Sequence, residues 1–521
     1  MGKDLSVKWF SITGMCSLIE LIFLVMIGLG SIISAQIKIE EQVEITPGKS
    51  DIQNKNIIVH VLGPLNFEGI EGEEVLSERT ECMKVFQTPD GRKKARIYTS
   101  PIHYKDAAGN YENIDPKLVR ASLVNQDSRS LMKQTADSYD YEYVDGIYTA
   151  SFKRDLFEEN SVRINLESGY TFKTSLVGIG YFNKISHEYH LFNDFNPVLL
   201  EPEDTQLTYS DSLMGVDIKY SYMTESLKEE IYLNQQFRDA LPEPEQYGWD
   251  KDNTEFVIIT EINPDDQLEA YVENFNQESI DECPVELTQF TEFNALAFKD
   301  FEGSTSFYLP QNYASLYSCQ TMIEDTSNIT LLNSYILPGE NGKSYISYGL
   351  PYNELKSFPA GDIYIDPTIR ISGSSTHDTW LESIYFFSVY HHHKLLLGKA
   401  KGFPKKRTVV RFPLYDIPDS SKIQNASLNL YYYGIHRASW SHEVFIPRDI
   451  SANLILVPWN EYTATYKYPW SVPYGAFGVD YASTSEDVVH FDRPPAWKSF
   501  NLTSAVQKWV DGEINNQGVV L

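Results

Sequence analysis

Two groups of side chains near the end of this 521-residue chain have the chemistry to hold a ligand. The first is cationic. Lys399-Ala400-Lys401-Gly402-Phe403-Pro404-Lys405-Lys406-Arg407 sets five cations around Gly and Pro, between two strand-like segments. Such a projection on an acidic protein could grip a carboxylated or sulfated glycan through Lys401, Lys405, Lys406 and Arg407, or dock on the acidic half of the same chain. The bland alternative is a solvated hairpin tip. The second group is aromatic: six of the eight Trp fall in the last 144 residues. An exposed indole offers a flat face to a sugar ring and a hydrogen bond at its rim. Trp440 and Trp470, in turn-like surroundings that are polar or contain Pro, are the platform candidates, whereas Trp459 and Trp509 read as core.

Other chemistries find less support. His391-His392-His393 would put at most His391 and His393 on one face of a strand, with no Cys or carboxylate at ligand spacing beside them. No metal site follows, and no cofactor is called for. Structural calcium from loop Asp residues stays open, although no 12-residue calcium loop is present. The chain contains no His-Glu-x-x-His, Gly-x-Ser-x-Gly, phosphate-binding loop or dinucleotide fingerprint. A carboxylate pair for glycoside hydrolysis, roughly 5–10 Å apart in space, cannot be read from a sequence. The net charge of -29 argues against nucleic acid as a partner, because phosphate recognition needs a basic footprint.

The elements that would position these residues are strands. The chain has 35 Tyr, 27 Phe and 25 Pro, which favour strands and turns over helical bundles. Pro101 to Asp115 reads as a hairpin with a Gly-Asn turn, and Gly215–Tyr220 followed by Leu227–Leu233 as two antiparallel strands. Leu241 to Asp252 is a loop. Only near the end does a helical period appear: Val506, Trp509 and Val510 form one apolar face, Thr503 can cap through its hydroxyl, and Gly512 stands where helices stop. Charge divides the chain. Residues 378–521 carry 14 Lys and Arg against 13 Asp and Glu, whereas 36–377 carry 27 against 57. An acidic domain (81–373, after an acidic lead-in at 36–80) and a balanced one (374–521) are therefore expected.

Residues 1–35 form a targeting segment. Lys3 and Lys8 precede an apolar stretch from Cys16 to Ile33, and Ile33-Ser34-Ala35 is a small-residue cleavage site. Glu20 inside the run weakens a permanent span, so a cleaved signal peptide is favoured over an uncleaved anchor. The chain is then secreted or displayed at the cell surface, with membrane contact only through this segment. Export makes Cys283 and Cys319 the nearer pair for one disulfide, with buried thiols as the alternative. It also makes Asn328, Asn425 and Asn501 N-glycosylation candidates.

Asp378-Thr379-Trp380-Leu381-Glu382-Ser383, Leu395–Gly398, Thr408–Pro418, Ile423–Tyr431, Trp459-Asn460-Glu461 and Phe500–Gly518 follow one another in an order that resembles the DNRLRE-type domain. That family is similar to carbohydrate-binding module family 96 and to repeats of archaeal disaggregatase-related surface proteins. The resemblance implies a jelly-roll-like β-sandwich that binds polysaccharide, in some members acidic polysaccharide. Pro101–Asp115, Gly215–Leu233 and Tyr364-Ile365-Asp366-Pro367-Thr368 resemble the β-rich region of wall-associated Rhs-type surface proteins, which implies a structural role there. Two departures stand out. The opening motif lacks the family's Arg residues, and members usually continue through further strands, so an open sheet edge is expected beside the last strand.

The sequence therefore predicts an all-β exported protein, a strand-rich domain followed by a sandwich with one short helix. Its expected role is non-catalytic binding of polysaccharide or cell-surface glycan, or adhesion. The alternatives are a structural envelope or stalk protein without sugar binding and a polysaccharide-degrading enzyme.

Overall fold

The computed structural model describes residues 72–521, apart from 99, 122–138, 203–204, 276–279, 317–329, 372–376, 383–388, 391–394, 396, 399–404, 416, 419–420, 433–446, 462 and 493–495. The chain is all-β, built of antiparallel sheets. Three α-helices occur among the described residues, and only Thr503–Val510 exceeds six residues.

Alternation dictates the larger core. Val216–Met223 and Ser226–Leu233 pair antiparallel, as their sequence predicts, and bury every second side chain. They belong to a sheet of twelve strands, which packs its apolar face on a sheet of ten that includes Thr171–Asn183 and Thr254–Pro264. Phe172 of one sheet meets Phe298 and Phe307 of the other at 5.1 and 5.2 Å between ring centroids. Tyrosines span this interior and end on backbone carbonyls: Tyr148 Oη donates to Ser226 O at 2.6 Å, and Tyr209 Oη to Lys153 O at 2.6 Å. A buried phenol keeps its hydrogen bond in this way. Thr254–Pro264 is buried on both faces in its first half, because Val257 and Ile259 pack in a separate cluster with Phe182, Tyr335 and Leu337.

Among the buried carboxylates of the large sheets is Glu229, between the two. Burial pushes Glu229 up to about 8, helped by Asp366 and opposed by a hydrogen bond with Tyr220. The Asp366-Pro367-Thr368 turn is held by Tyr364 Oη donating to Asp366 at 2.8 Å and by Thr368 Oγ1 donating to the same carboxylate. The Pro101–Asp115 hairpin also forms as expected, with His103–Lys105 against Tyr111–Asn113 and Gly109 at φ 84° in the turn.

Residues 377–521 form a second, sandwich-like set of strands. One sheet runs in the order Val389–Tyr390, His377–Glu382, Lys406–Arg411, Val519–Val520, Arg448–Ile455, Tyr481–Phe491; Ser427–Tyr432 pairs with Ala496–Asn501 beside it. Val519–Val520 lies between Lys406–Arg411 and Arg448–Ile455 and is paired on both sides. The open edge expected beside the last strand is thus absent there. Helix Thr503–Val510 closes the core at Leu428, Phe491 and Phe500, with Trp509 half-buried.

Its cap differs from the expectation. Thr503 is the first helical residue; its Oγ1 donates to Asn501 Oδ1 at 2.7 Å and accepts from Ala426 N at 3.0 Å, while Asn501 Oδ1 accepts Thr503 N at 3.0 Å. The hydroxyl ties the helix to the neighbouring strand instead of capping it. Gly512, at φ 68°, ends the helix as predicted.

Candidate functional site

Between Ile455 and Tyr481 the chain leaves the sheet in a long excursion rich in aromatics and turn formers. Its underside is apolar. Trp459, Ala464, Trp470 and Tyr481 pack with Leu381, Val409 and Val520. Trp459 Nε1 donates to Gln517 O and Trp470 Nε1 to Thr465 O, each at 2.8 Å, so both indoles are satisfied inside.

Asp480 organises the tip. Buried at 1% exposure, it accepts Ser471 N at 2.9 Å, Ser471 Oγ at 2.6 Å and Ala476 N at 2.7 Å. Burial raises its pKa, but these bonds outweigh that cost and hold the carboxyl below its usual range. Folding the tip this tightly puts Tyr474 at φ 68° and Gly475 at φ 74°. For a non-glycine residue such a conformation costs on the order of 1–3 kcal/mol, which packing must offset. Gly475 is required twice over, since a Cβ there would lie 2.5 Å from the Tyr481 ring.

At the margin of this cluster, Tyr466 and Tyr474 pack against it and lie beside cations. Tyr466 and Tyr474 have ring centroids 5.6 Å apart and are half-buried, while Phe477 is 50% exposed. Lys405 Nζ lies 5.4 Å from the Tyr474 centroid and Lys467 Nζ 5.7 Å from that of Tyr466. Arg407 passes between Phe477 and Tyr481, at 5.0 and 5.4 Å, and donates to the Tyr474 and Gly475 carbonyls. Val472 and Val479 extend the exposed apolar surface. The ammonium groups thus lie over the aromatic faces, a cation–π arrangement at a partly exposed surface.

This arrangement corrects several expectations. Trp470 is not an open platform: at 6% exposure it packs against Tyr481 and lines the core. Lys406 is not part of a solvated projection, because its Nζ pairs with Glu382 at 2.9 Å and covers the Trp380 ring at 4.6 Å. Arg407 holds the excursion's backbone. Lys405 does lie at the aromatic surface, and Lys401 and Trp440 lie outside the described residues. Cys283, on an outermost strand of its sheet, is an exposed free thiol, and Cys319, its candidate partner, lies outside the described residues. Asn425 and Asn501 are exposed, whereas Asn328 is outside the described residues. So are His391–His393 and the apolar stretch from Cys16 to Ile33. Among the described residues no group of three or more His, Cys, Asp or Glu side chains could hold a metal ion, and no helix is long and apolar enough to cross a membrane.

Tyr466, Lys467, Tyr474 and Phe477 do not stand out in the sequence as ligand-binding candidates. Their one signal is aromatic density in a stretch broken by Pro469, Pro473, Gly475 and Gly478.

The chain matches no protein-family model. It is 25% identical over 181 residues to a tRNA(Glu)-specific nuclease WapA of Bacillus subtilis subsp. natto, a match covering 33% of this chain and 6% of that protein. A tRNA3(Ser)-specific nuclease WapA of Bacillus spizizenii matches at 25% over the same shares. This chain thus spans about 6% of the length of these curated relatives. Among solved structures, the Slr1438 protein of Synechocystis sp. PCC 6803 aligns at a TM-score of 0.24 and 11% identity, over 46% of this chain and 99% of that one. The galactosidase domain of an alpha-galactosidase-sucrose kinase aligns at 0.18 and 9%, over 56% and 40%. Both scores are too low to bear on fold or function.

Proposed function

We propose that this is an exported surface protein whose C-terminal sandwich binds an anionic polysaccharide or cell-surface glycan without catalysis. The observation that carries this reading is the convergence of Tyr466, Tyr474 and Phe477 with Lys405 and Lys467 on one stiffened excursion. The rings would stack on sugar faces, and the ammonium groups would meet carboxylates or sulfates. The resemblance of 374–521 to DNRLRE-type domains points the same way, and the targeting segment 1–35 supports export to the surface. The nuclease activity named for the relatives has little support in this chain, which spans a small part of them and carries a net charge of -29.

The test is binding of the full chain to a uronic-acid polymer and to a neutral polysaccharide, by calorimetry at low salt. Retention of the anionic polymer should weaken about tenfold, or about 1.4 kcal/mol, in Tyr474→Ala and in the Lys405→Ala/Lys467→Ala pair. Binding that neither variant weakens, or none at all, overturns the reading. A purely structural role is favoured by one feature, the internal use of Lys406 and Arg407. Self-assembly with no affinity for any glycan would establish it.

A further inference from the structure

A buried carboxylate of the ten-stranded sheet meets two nitrogens from distant parts of the chain. Glu255, in Thr254–Pro264, shares a strand face with Val257 and Ile259, the face turned away from the larger core, and is fully buried. Its Oε1 accepts Asn333 Nδ2 at 2.5 Å and Tyr335 Oη at 3.3 Å, and it lies 3.8 Å from Lys184 Nζ. Its Oε2 has no hydrogen-bond partner, although a buried carboxylate oxygen ordinarily finds one. Gly349 makes this reach possible. A Cβ there would collide with Oε2, so glycine lets the side chain cross Ser344–Pro351 to the start of Asn333–Pro338. On the other flank Lys184 follows Thr171–Asn183, its backbone N donating to Asn253 O at 3.0 Å. Amine, carboxyl and carboxamide thus converge, and the two nitrogens can be no farther apart than the sum of their distances from Oε1.

We propose that Lys184 and Asn333 become joined by an intramolecular amide bond whose formation Glu255 catalyses. The proton that the attacking nitrogen gives up has to reach the nitrogen that departs, and one carboxylate serves both. Glu255 takes the first proton from the Lys184 ammonium. The free amine adds to Cγ of Asn333, and the carboxylic acid protonates Nδ2. The Cγ–Nδ2 bond breaks, the carboxylate removes a second proton from Nζ, and the departing ammonia carries that proton away as ammonium. One ammonium group and one primary amide thus become one secondary amide and one ammonium ion. No oxidant, reductant or cofactor enters.

The surroundings suit this step. Burial raises the pKa of Glu255 against the opposing influence of Asn333 and Lys184, which favours a group that must hold a proton and pass it on. Water, the competing nucleophile, is kept from the carboxyl, and the Lys184 side chain retains only 35% of its exposure. The fold itself brings the amine to the amide, so no association step is needed. The bond would fasten the end of Thr171–Asn183 to Asn333–Pro338 across two intervening strands of the sheet. An ordinary ion pair and hydrogen bond around Glu255 would leave Lys184 and Asn333 separate, and covalency tells the two apart. The proposal is independent of glycan binding.

The test is peptide mass spectrometry of the natural full chain after denaturation and protease digestion. The peptides containing Lys184 and Asn333 should appear as one species, lighter than the separate pair by one ammonia. Lys184→Arg and Asn333→Ala should each give separate peptides, and so should Glu255→Gln, which keeps the volume without the carboxylate. Separate peptides in the natural protein overturn the proposal with no variant needed. So does an Asn333 side chain converted to a free carboxyl with no link to Lys184, because water would then be the nucleophile. A joined species that persists undiminished in Glu255→Gln overturns the catalytic role. If that variant does not fold, an undiminished yield in Glu255→Asp, whose carboxylate is drawn back by one methylene, does so.

Discussion

Trp470 and Tyr481 pack ring to ring, their centroids 5.2 Å apart at an interplanar angle of 50°, and join the far side of the excursion to the first residue of the strand that follows it. This contact explains why an aromatic surface can exist on a segment with little regular structure. The buried rings fix the backbone, and half-buried Tyr474, packed against the same cluster, and exposed Phe477 are fixed with it.

Replacing Trp470 by Ala should therefore cost about 3–5 kcal/mol of stability, as expected for a fully packed indole. Phe477→Ala, at a ring 50% exposed, should cost well under half of that. Denaturant midpoints of the two variants check this, and equal midpoints would contradict the inward placement of Trp470.

The Lys406–Glu382 pair makes a second prediction. Register sets these residues directly opposite each other, and the Glu382 side chain is only 4% exposed. Lys406→Ala leaves that carboxylate buried without its cation, and stability should fall by about 2 kcal/mol or more. Adding Glu382→Gln should recover part of the loss, because the charge is gone. A double-mutant cycle in urea would show this as a coupling energy, and strict additivity would refute it.

Gly475→Ala combines an unfavourable φ with a Cβ that would press on the Tyr481 ring. A loss of at least about 1 kcal/mol is expected, together with weakened glycan binding, since Tyr474 and Phe477 sit on either side. Gly512→Ala meets open space and bears only the φ penalty. It should cost less and leave binding unchanged, as thermal melts and calorimetry can show.

How far the sequence could be read follows from which contacts are local. Val216–Met223 and Ser226–Leu233 announce themselves because each buries alternate residues against one core and a short turn joins them. Thr254–Pro264 reads less clearly, since two separate clusters bury both of its faces. At the site, the cations of 399–407 were legible as charge but not as contacts. The partner of Lys406 is 24 positions away and is chosen by strand register. Likewise, nothing in the local sequence separates Trp470 from Tyr474. Trp470 is buried and Tyr474 half-buried against one cluster, on a tip whose fold includes three hydrogen bonds to Asp480, up to nine positions away.

The last prediction concerns pH and the core carboxylate. Glu229, placed among Phe172, Thr174, Thr260 and Tyr348 between the two large sheets, holds its proton up to about 8 against an ordinary 4.5. A carboxyl whose pKa is raised by folding favours the fold most when both states are protonated. Stability should thus be greatest below about 4.5, decline as pH rises from there, and level off above about 8. At roughly 1.4 kcal/mol for each pH unit between those two values, the full effect is on the order of a few kcal/mol. Glu229→Gln keeps the volume and removes the titration, so the natural protein and the variant should diverge progressively between pH 5 and 8. The readout is the urea midpoint of the larger sheet pair, and parallel curves across that range would show that Glu229 is not titrating in the folded core.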